Sequence, residues 1–329
     1  MGETSMSIDN IISDWRNKIS QTYLNEELDQ LEPLVREILQ LKKQKNAFIL
    51  GHNYMTPDVF YGISDVTGDS LELSKRARDS HSEIILFNGV HFMAETAKIL
   101  NPTRKVLIAD LNAGCSLAES MSGEDIRALR KKFPGIPIVS YINCTAEVKA
   151  EVDIICTSAN AVRIVDSLES DTVIVVPDGY LAENIQKNTR KKIIAWPGKC
   201  MVHELYTPFD VEIARKAHPK AKIIAHPECK TSVTEKVDFT GSTSQMGKYI
   251  HDSKATDVLL LTECSMGDNL RSNFPKVNFI SACQTCPHMK KITLQKVRDA
   301  LLHEQFEVHL PQNIIERAQH SLNKMLAVA

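Results

Sequence analysis

Short apolar runs, each closed by polar residues, recur along this chain in a fixed order. AFILGHNY (47–54), PIVSYINC (137–144) and AKIIAHPEC (221–229) form a first set. A second set is a small, hydroxyl-rich loop opening a helical stretch: DVTGDSLELSKRA (65–77), ICTSANAVRIV (155–165) and FTGSTSQMGKYI (239–250). EIILFNGVHFMAET (83–96), TVIVVPDGYLAEN (172–184) and DVLLLTECSMGDN (257–269) make a third, and KVLIADLNAGC (105–115), KKIIAWPGKC (191–200) and VNFISACQTC (277–286) a fourth. Such self-similarity is the mark of a repeated architecture. The spacings agree: Cys115 to Cys200 is 85 residues and Cys200 to Cys286 is 86; His52 to Tyr141 is 89 and Tyr141 to His226 is 85. Ser70, Ser158 and Thr243 repeat at 88 and 85.

Each fourth run is followed by helical periodicity, in SGEDIRALRKKF, TPFDVEIARKA and ITLQKVRDALLHEQ, and LEPLVREILQLKKQK precedes the first copy. SGED and its counterparts are N-cap signals. Strands alternating with helices predict parallel β-α units buried on both faces. The fold expected is α/β: three homologous three-layer α/β/α domains with parallel sheets, related by a pseudo-threefold axis. The divisions are an N-terminal helical extension (1–30), repeats at 31–125, 126–205 and 206–295, and C-terminal helices (296–329) packing on the body. The extension is amphipathic, with Ile11, Ile12, Trp15 and Ile19 on one side.

The chain has 329 residues, 43% hydrophobic and 24% charged, with a net charge of −2. No basic excess points to nucleic acid or an anionic membrane. No apolar run approaches the ~18–20 residues of a membrane span. The N-terminus has neither a signal-peptide pattern nor a myristoylation pattern. A cytoplasmic, reducing setting is expected, where disulfides are disfavoured.

Polar residues cluster at the strand ends, and parallel sheets bind ligands there. Three sheets aimed at one axis bring Cys115, Cys200 and Cys286 together. Cys283 forms a C-x-x-C with Cys286 but has no counterpart in the other repeats; it is a spare thiol or a partner for Cys286 when a metal is lost. Cys144, Cys156, Cys229 and Cys264 also stand outside the repeat, and small buried hydrophobe is the default reading of such thiols. Three thiolates with no fourth equivalent suggest a metal centre with one open position, the mark of a catalytic metal. Thiolates select zinc or iron–sulfur clusters. Core burial of all three, or a zinc knuckle built on the C-x-x-C, are the competing readings. Ser70, Ser158 and Thr243, with Ser242, sit where helix N-termini offer N–H groups to anions; plain capping is the alternative. His52, Tyr54, Tyr141, Asn143, His226 and Glu228 are the polar strand-end set, suited to acid–base work. Met93 faces either the core or the site. Glu95, Glu183 and Asp268 read as acids complementing helix starts.

GHNYM, GDSLELS, GVHFMAETAKILNP, Y-x-N with AEVKAE, AHPEC, GST and CP-x-MKK together resemble the quinolinate synthase (quinolinate synthetase A) family, over about residues 30–325. The resemblance implies a triplicated α/β/α fold with a [4Fe–4S] cluster on the pseudo-threefold axis. It implies condensation of iminoaspartate with dihydroxyacetone phosphate to quinolinate for NAD biosynthesis, with loss of phosphate and water, and coupling to an iminoaspartate-producing enzyme. Cys115, Cys200 and Cys286 match the cluster ligands, leaving an open Lewis-acidic iron. Ser158 and Thr243 match substrate-binding positions, with Ser70 and Met93 beside them. By the same resemblance His52 and His226 hold or protonate substrate, Tyr54 and Glu228 are acid–base candidates, and Tyr141 and Asn143 line the cluster side. A zinc lyase or aldolase on a phosphorylated substrate, and a non-enzymatic iron–sulfur sensor, are the alternative functions.

Overall fold

The structure is a computed structural model and describes residues 6–282 and 284–328. Its described residues hold three four-stranded, wholly parallel sheets. The first contains β1 (Ala47–His52), β2 (Val66–Gly68), β3 (Ile84–Asn88) and β4 (Lys105–Ile108), in the spatial order β2-β1-β3-β4. β5 (Ile138–Tyr141), β6 (Ile154–Cys156), β7 (Thr172–Val176) and β8 (Lys192–Ala195) repeat that order as β6-β5-β7-β8. β9 (Lys222–Ala225), β10 (Phe239–Thr240), β11 (Asp257–Leu261) and β12 (Asn278–Ile280) repeat it again as β10-β9-β11-β12. The strands of the first, third and fourth sets come from the apolar runs recognised in the sequence; β2, β6 and β10 are short strands where the second set reads in the sequence as a loop opening a helix.

Branched residues explain the central strands. IILFN in β3 and TVIVV in β7 are buried along nearly their whole length, with helices on both sides. In the third sheet the alternation is explicit. Ile223, Ala225, Leu259 and Leu261 pack into one apolar cluster, and Ile224, Val258 and Leu260 into another on the opposite face. The first two sheets share one continuous core with the C-terminal helices.

Burial on both faces does not extend to every strand. β8 is half exposed or exposed along its length, and β12 is buried only at Phe279. Both are edge strands. The matching edge strand β4 is covered instead, because Ile108 N–H donates to Phe306 O at 3.2 Å and Val308 N–H to Val106 O at 2.8 Å. The C-terminal segment thus closes one edge and leaves the other two to short strands.

The N-terminal helix Ile8–Ile19 buries Ile12, Trp15 and Ile19 as its periodicity required, and packs on the helix Pro57–Gly62. The last helix, Gln312–Val328, lies on the second sheet's β6 and on the helix Ala146–Glu151, where Ser321 Oγ donates to Lys149 O at 2.7 Å.

One set of contacts passes round the three sheets in order. Glu95 accepts from Ala146 N–H at 2.9 Å, so an acid of the first sheet's helix caps a helix that follows β5. Asn184 Nδ2 donates to Pro227 O (2.8 Å) and Cys229 O (3.0 Å) beyond β9. Asn269 Nδ2 donates to Asn53 O (3.0 Å) and Met55 O (2.8 Å) beyond β1. Each helix that follows a third-set strand therefore holds the loop at the end of the next sheet's first strand, first to second, second to third, and third back to first. Glu95 and Glu183 serve these joints, not the starts of their own helices: the Glu183 carboxylate accepts from Thr231 Oγ1 at 3.1 Å.

No helix among the described residues is long and apolar enough to cross a membrane.

Candidate active site and metal centre

Cys115, Cys200 and Cys286 stand at the start of three copies of one local structure. Each precedes a short 3-10 turn: Ala118–Ser120, His203–Leu205 and Met289–Lys291. Each cysteine carbonyl accepts from the N–H four residues on, at 2.9, 2.9 and 3.2 Å. The same turn aims two backbone N–H groups at each sulfur, from Leu117 and Ala118, from Val202 and His203, and from His288 and Met289. All three thiols are free, partly buried, and line one cavity. Ser116 ties two of the loops, donating from Oγ to Lys199 O (3.2 Å) and accepting from Met201 N–H (3.1 Å). Cys283 lies outside the described residues.

Burial pushes the Cys115 thiol up to about 12 and raises Cys200 and Cys286 as well; Glu228 adds to the rise at Cys115 and Cys200. Protein alone therefore keeps these groups as neutral thiols. A cation among them would turn them into thiolates, and the paired N–H groups are the hydrogen bonds that thiolate-held iron–sulfur centres use. The donor set fits a soft metal or a cluster.

The remaining walls carry the polar strand-end set. His52, Tyr54, Ser70, Met93, Tyr141, Asn143, Ser158, His226, Glu228 and Thr243 all line the same cavity as the three cysteines. At its centre lies Glu228, 3% exposed. Its Oε1 accepts from Tyr141 Oη at 2.6 Å and from Asn143 Nδ2 at 3.3 Å. Its Oε2 lies 2.8 Å from His203 Nδ1. Burial alone would lift this carboxyl, but the His203 ring and the Tyr141 hydroxyl outweigh it and hold the group well below the usual carboxylate range. Glu228 is thus an ionised, buried carboxylate. Burial lowers His52 to about 4 and His226 to about 3, so both imidazoles are neutral. Burial, then Glu228, pushes the Tyr54 and Tyr141 hydroxyls far up, and they remain donors.

The helix-opening residues divide between capping and the cavity. Asp69 caps the helix Ser70–Asp79 through Leu71 and Glu72 N–H, and Ser242 caps the helix Thr243–Ser253 through Gln245 N–H. Ser70 and Thr243 follow these caps and face the cavity instead. Asn53 Nδ2 donates to Thr243 Oγ1 at 2.7 Å and orients it. Ser242 is a cap, and its hydroxyl also reaches Asp69 Oδ2 at 3.4 Å.

His203 and Glu263 are among the lining residues not singled out from sequence. His203 is 2% exposed, and its ring lies 3.2 Å (Nδ1) from Cys200 Sγ and 2.9 Å (Nε2) from Thr262 Oγ1. The C-x-x-H spacing from Cys200 was its signal, masked because the other repeats have no His there. Glu263, 1% exposed, pairs with Lys290 at 2.7 Å and accepts from Cys286 N–H at 3.3 Å. Lys290 also donates to Tyr54 O at 3.0 Å, which joins the Cys286 loop to the end of β1. The buried Cys144, Cys156 and Cys229 stand apart from the cavity lining.

The chain is 52% identical over 291 residues to quinolinate synthase 2 of Mesorhizobium japonicum, covering 88% of this chain and 90% of that one. It is 50% identical over 298 residues to a quinolinate synthase of Caulobacter vibrioides, covering 89% and 81%. The corresponding protein of Xylella fastidiosa is 48% identical over 294 residues, covering 89% and 87%. The model of the family described as quinolinate synthetase A protein matches residues 36–327. With the repeated cysteine turns and the buried carboxylate inside that span, this chain belongs to the quinolinate synthetase A family, and is an enzyme of that family.

Proposed function

We propose that the enzyme condenses iminoaspartate with dihydroxyacetone phosphate to form quinolinate, releasing phosphate and water, in the cytoplasmic de novo synthesis of NAD. In this reading the repeats at 31–125, 126–205 and 206–295 are domains related by a pseudo-threefold axis, flanked by 1–30 and 296–329. The head-to-tail contacts of Glu95, Asn184 and Asn269 support it.

Cys115, Cys200 and Cys286 hold a [4Fe–4S] cluster. When bound, the cluster supplies an iron with an open position that acts as a Lewis acid on a substrate oxygen. The chain's own groups do the rest. Ser70, Ser158 and Thr243 bind the phosphate and carboxylate groups of the substrates. Glu228, ionised and water-excluded, takes a proton from carbon beside the carbonyl or imine. Tyr54 and Tyr141 donate hydrogen bonds where negative charge develops on oxygen. Neutral His52 and His226 hold substrate and pass protons to leaving hydroxyls. Asn143 and Met93 complete the wall. Iminoaspartate is hydrolysed readily, so functional coupling to the enzyme that produces it is part of the proposal.

One observation carries the reading. The residues that the sequence singled out, from all three sheets, share one buried cavity with three free thiols. Anaerobic iron and sulfide analysis, on wild type and on Cys→Ala variants at 115, 200 and 286, tests it together with a quinolinate assay. About four irons and four sulfides per chain are expected, lost in each variant along with quinolinate formation. Zinc without sulfide in active protein overturns the cluster assignment.

A further inference from the structure

Cys200 belongs to two donor sets at once. It lines the cavity with Cys115 and Cys286, and it also converges with His203 and Glu228, whose ligand atoms all lie within 4.8 Å of one another. His203 Nδ1 is 3.2 Å from Cys200 Sγ and 2.8 Å from Glu228 Oε2. In a tetrahedral zinc site, metal–ligand bonds of about 2.3 Å to sulfur and about 2.0–2.2 Å to nitrogen and oxygen put neighbouring ligand atoms about 3.4–3.6 Å apart. The two sides that meet at His203 Nδ1 therefore lie about 0.4 and about 0.6 Å inside that spacing, and the third side is within 4.8 Å, so side-chain adjustment alone closes the triad around an ion.

Residues outside the triad already orient it as a metal site requires. A metal-bound histidine has its other ring nitrogen fixed by an oxygen; here Thr262 Oγ1 lies 2.9 Å from His203 Nε2. A ligating carboxylate has its second oxygen hydrogen-bonded; here Tyr141 and Asn143 donate to Glu228 Oε1. Val202 and His203 N–H groups point at Cys200 Sγ. Thiolate, imidazole and carboxylate together are a zinc-type donor set, and all three residues line the cavity.

We propose that Cys200, His203 and Glu228 form a mononuclear site for a zinc-class divalent ion in the cluster-free protein, and that an ion bound there blocks cluster assembly. Binding makes one metal–sulfur, one metal–nitrogen and one metal–oxygen bond: the Cys200 thiol releases its proton to solvent, the proton that His203 Nδ1 holds toward Glu228 passes to Nε2, which then donates to Thr262 Oγ1, and no electron moves. The ion also occupies Glu228 and His203, so the loaded protein lacks both a cluster cysteine and its buried base. The competition, unlike the ion binding, rests on the cluster assignment above.

The test uses full-length Cys115→Ala/Cys286→Ala protein, which retains the triad, and cobalt(II) as the probe. One cobalt per chain is expected, with a sulfur-to-cobalt charge-transfer band and the intense visible bands of a tetrahedral site. His203→Ala and a further Cys200→Ala change should abolish them. Thr262→Val, outside the triad, should weaken binding about 10–100-fold. Circular dichroism of each variant separates loss of the site from loss of the fold, and His203→Gln replaces His203→Ala if the latter unfolds. No cobalt bound, or cobalt bound equally after His203 is changed, overturns the site. In wild-type apoprotein, one equivalent of zinc should slow iron and sulfide uptake at least tenfold; unchanged uptake overturns the competition. Cobalt binding in a chain that never takes up a cluster would sink the cluster assignment and leave the mononuclear site standing.

Discussion

The Tyr141 hydroxyl donates to Glu228 Oε1 at 2.6 Å, joining the end of β5 to the loop after β9 with both side chains buried. The pair adds to the effect of His203 in keeping the carboxylate ionised. Tyr141→Phe strips one donor from a buried carboxylate, at a cost of about 1–3 kcal/mol. Its expected result is an upward shift of the acid limb of the rate profile with a fold kept intact. Glu228→Gln removes the base itself and should lower kcat about 10²–10⁴-fold. Steady-state quinolinate assays across pH check both. A Glu228→Gln enzyme as active as wild type would end the assignment of Glu228 as base.

Acid should destabilise the cluster-free protein well before ordinary carboxylates titrate. His52 and His226 sit near 4 and near 3, against 6.5 when unfolded. Between those values the unfolded chain binds more protons, so stability is full above pH 6.5 and falls as pH drops toward 4. Each histidine contributes a slope of about 1.4 kcal/mol per pH unit at most. Glu228, held ionised, adds loss in the same direction below its unfolded value. Urea unfolding at several pH values should show this slope, reduced in His52→Gln. A wild-type midpoint constant from neutral pH to about pH 5 contradicts it.

The turn before Cys200 has no room for a side chain. A Cβ at Gly198 would stand 2.3 Å from the Pro177 carbonyl oxygen and 2.6 Å from Ser120 Oγ. Gly198→Ala must therefore displace backbone, costing about 1–3 kcal/mol and shifting the Cys200 loop. Gly247→Ala, in the helix Thr243–Ser253, meets only Leu270 Cδ2 at 3.7 Å and should be neutral or stabilising by about 0.5–1 kcal/mol. Thermal unfolding with metal content reads the contrast; equal behaviour of the two variants refutes it.

Asn269 tests the joint between the third sheet and the first. Asn269→Leu leaves the Asn53 and Met55 carbonyls without their amide donor, at about 1–3 kcal/mol for each group left unpaired. Because those carbonyls flank Tyr54, KM and kcat should suffer along with stability. Denaturant titration and kinetics on one preparation decide whether the joint matters; unaltered values in both would show that it does not.

The repeat was legible because each unit rewrites the same order of apolar run, polar end and helix signal. The three cysteines and the strand-end residues followed from that register, and the cavity gathers them. His203 and Glu263 were missed by the same logic: His203 stands where the turns of the others carry Ala118 and Met289, and Glu263, matched by Asp178 in the second unit, stands where the first has Val90. Edge exposure of β8 was equally hidden. Its KKIIA run resembles the KIIA of β9, and only the path of the C-terminal segment decides which edge is covered. Local pattern reports what a segment can form. It does not report which distant segment will lie over it.

The three cysteine turns lie far apart along the chain, and the ribosome makes them in sequence. Cys286 follows Cys115 by 171 residues. At about 5–20 residues per second, the first thiol waits roughly ten to thirty seconds for the last. Late in that interval the strands of the first two sheets are complete, while the wall that Cys286, Glu263 and Lys290 supply, and the C-terminal helices that share those sheets' core, have yet to emerge. Cys115 and Cys200 then face solvent across an unfinished cavity. The period in which this protein is most open to the wrong metal is its own synthesis.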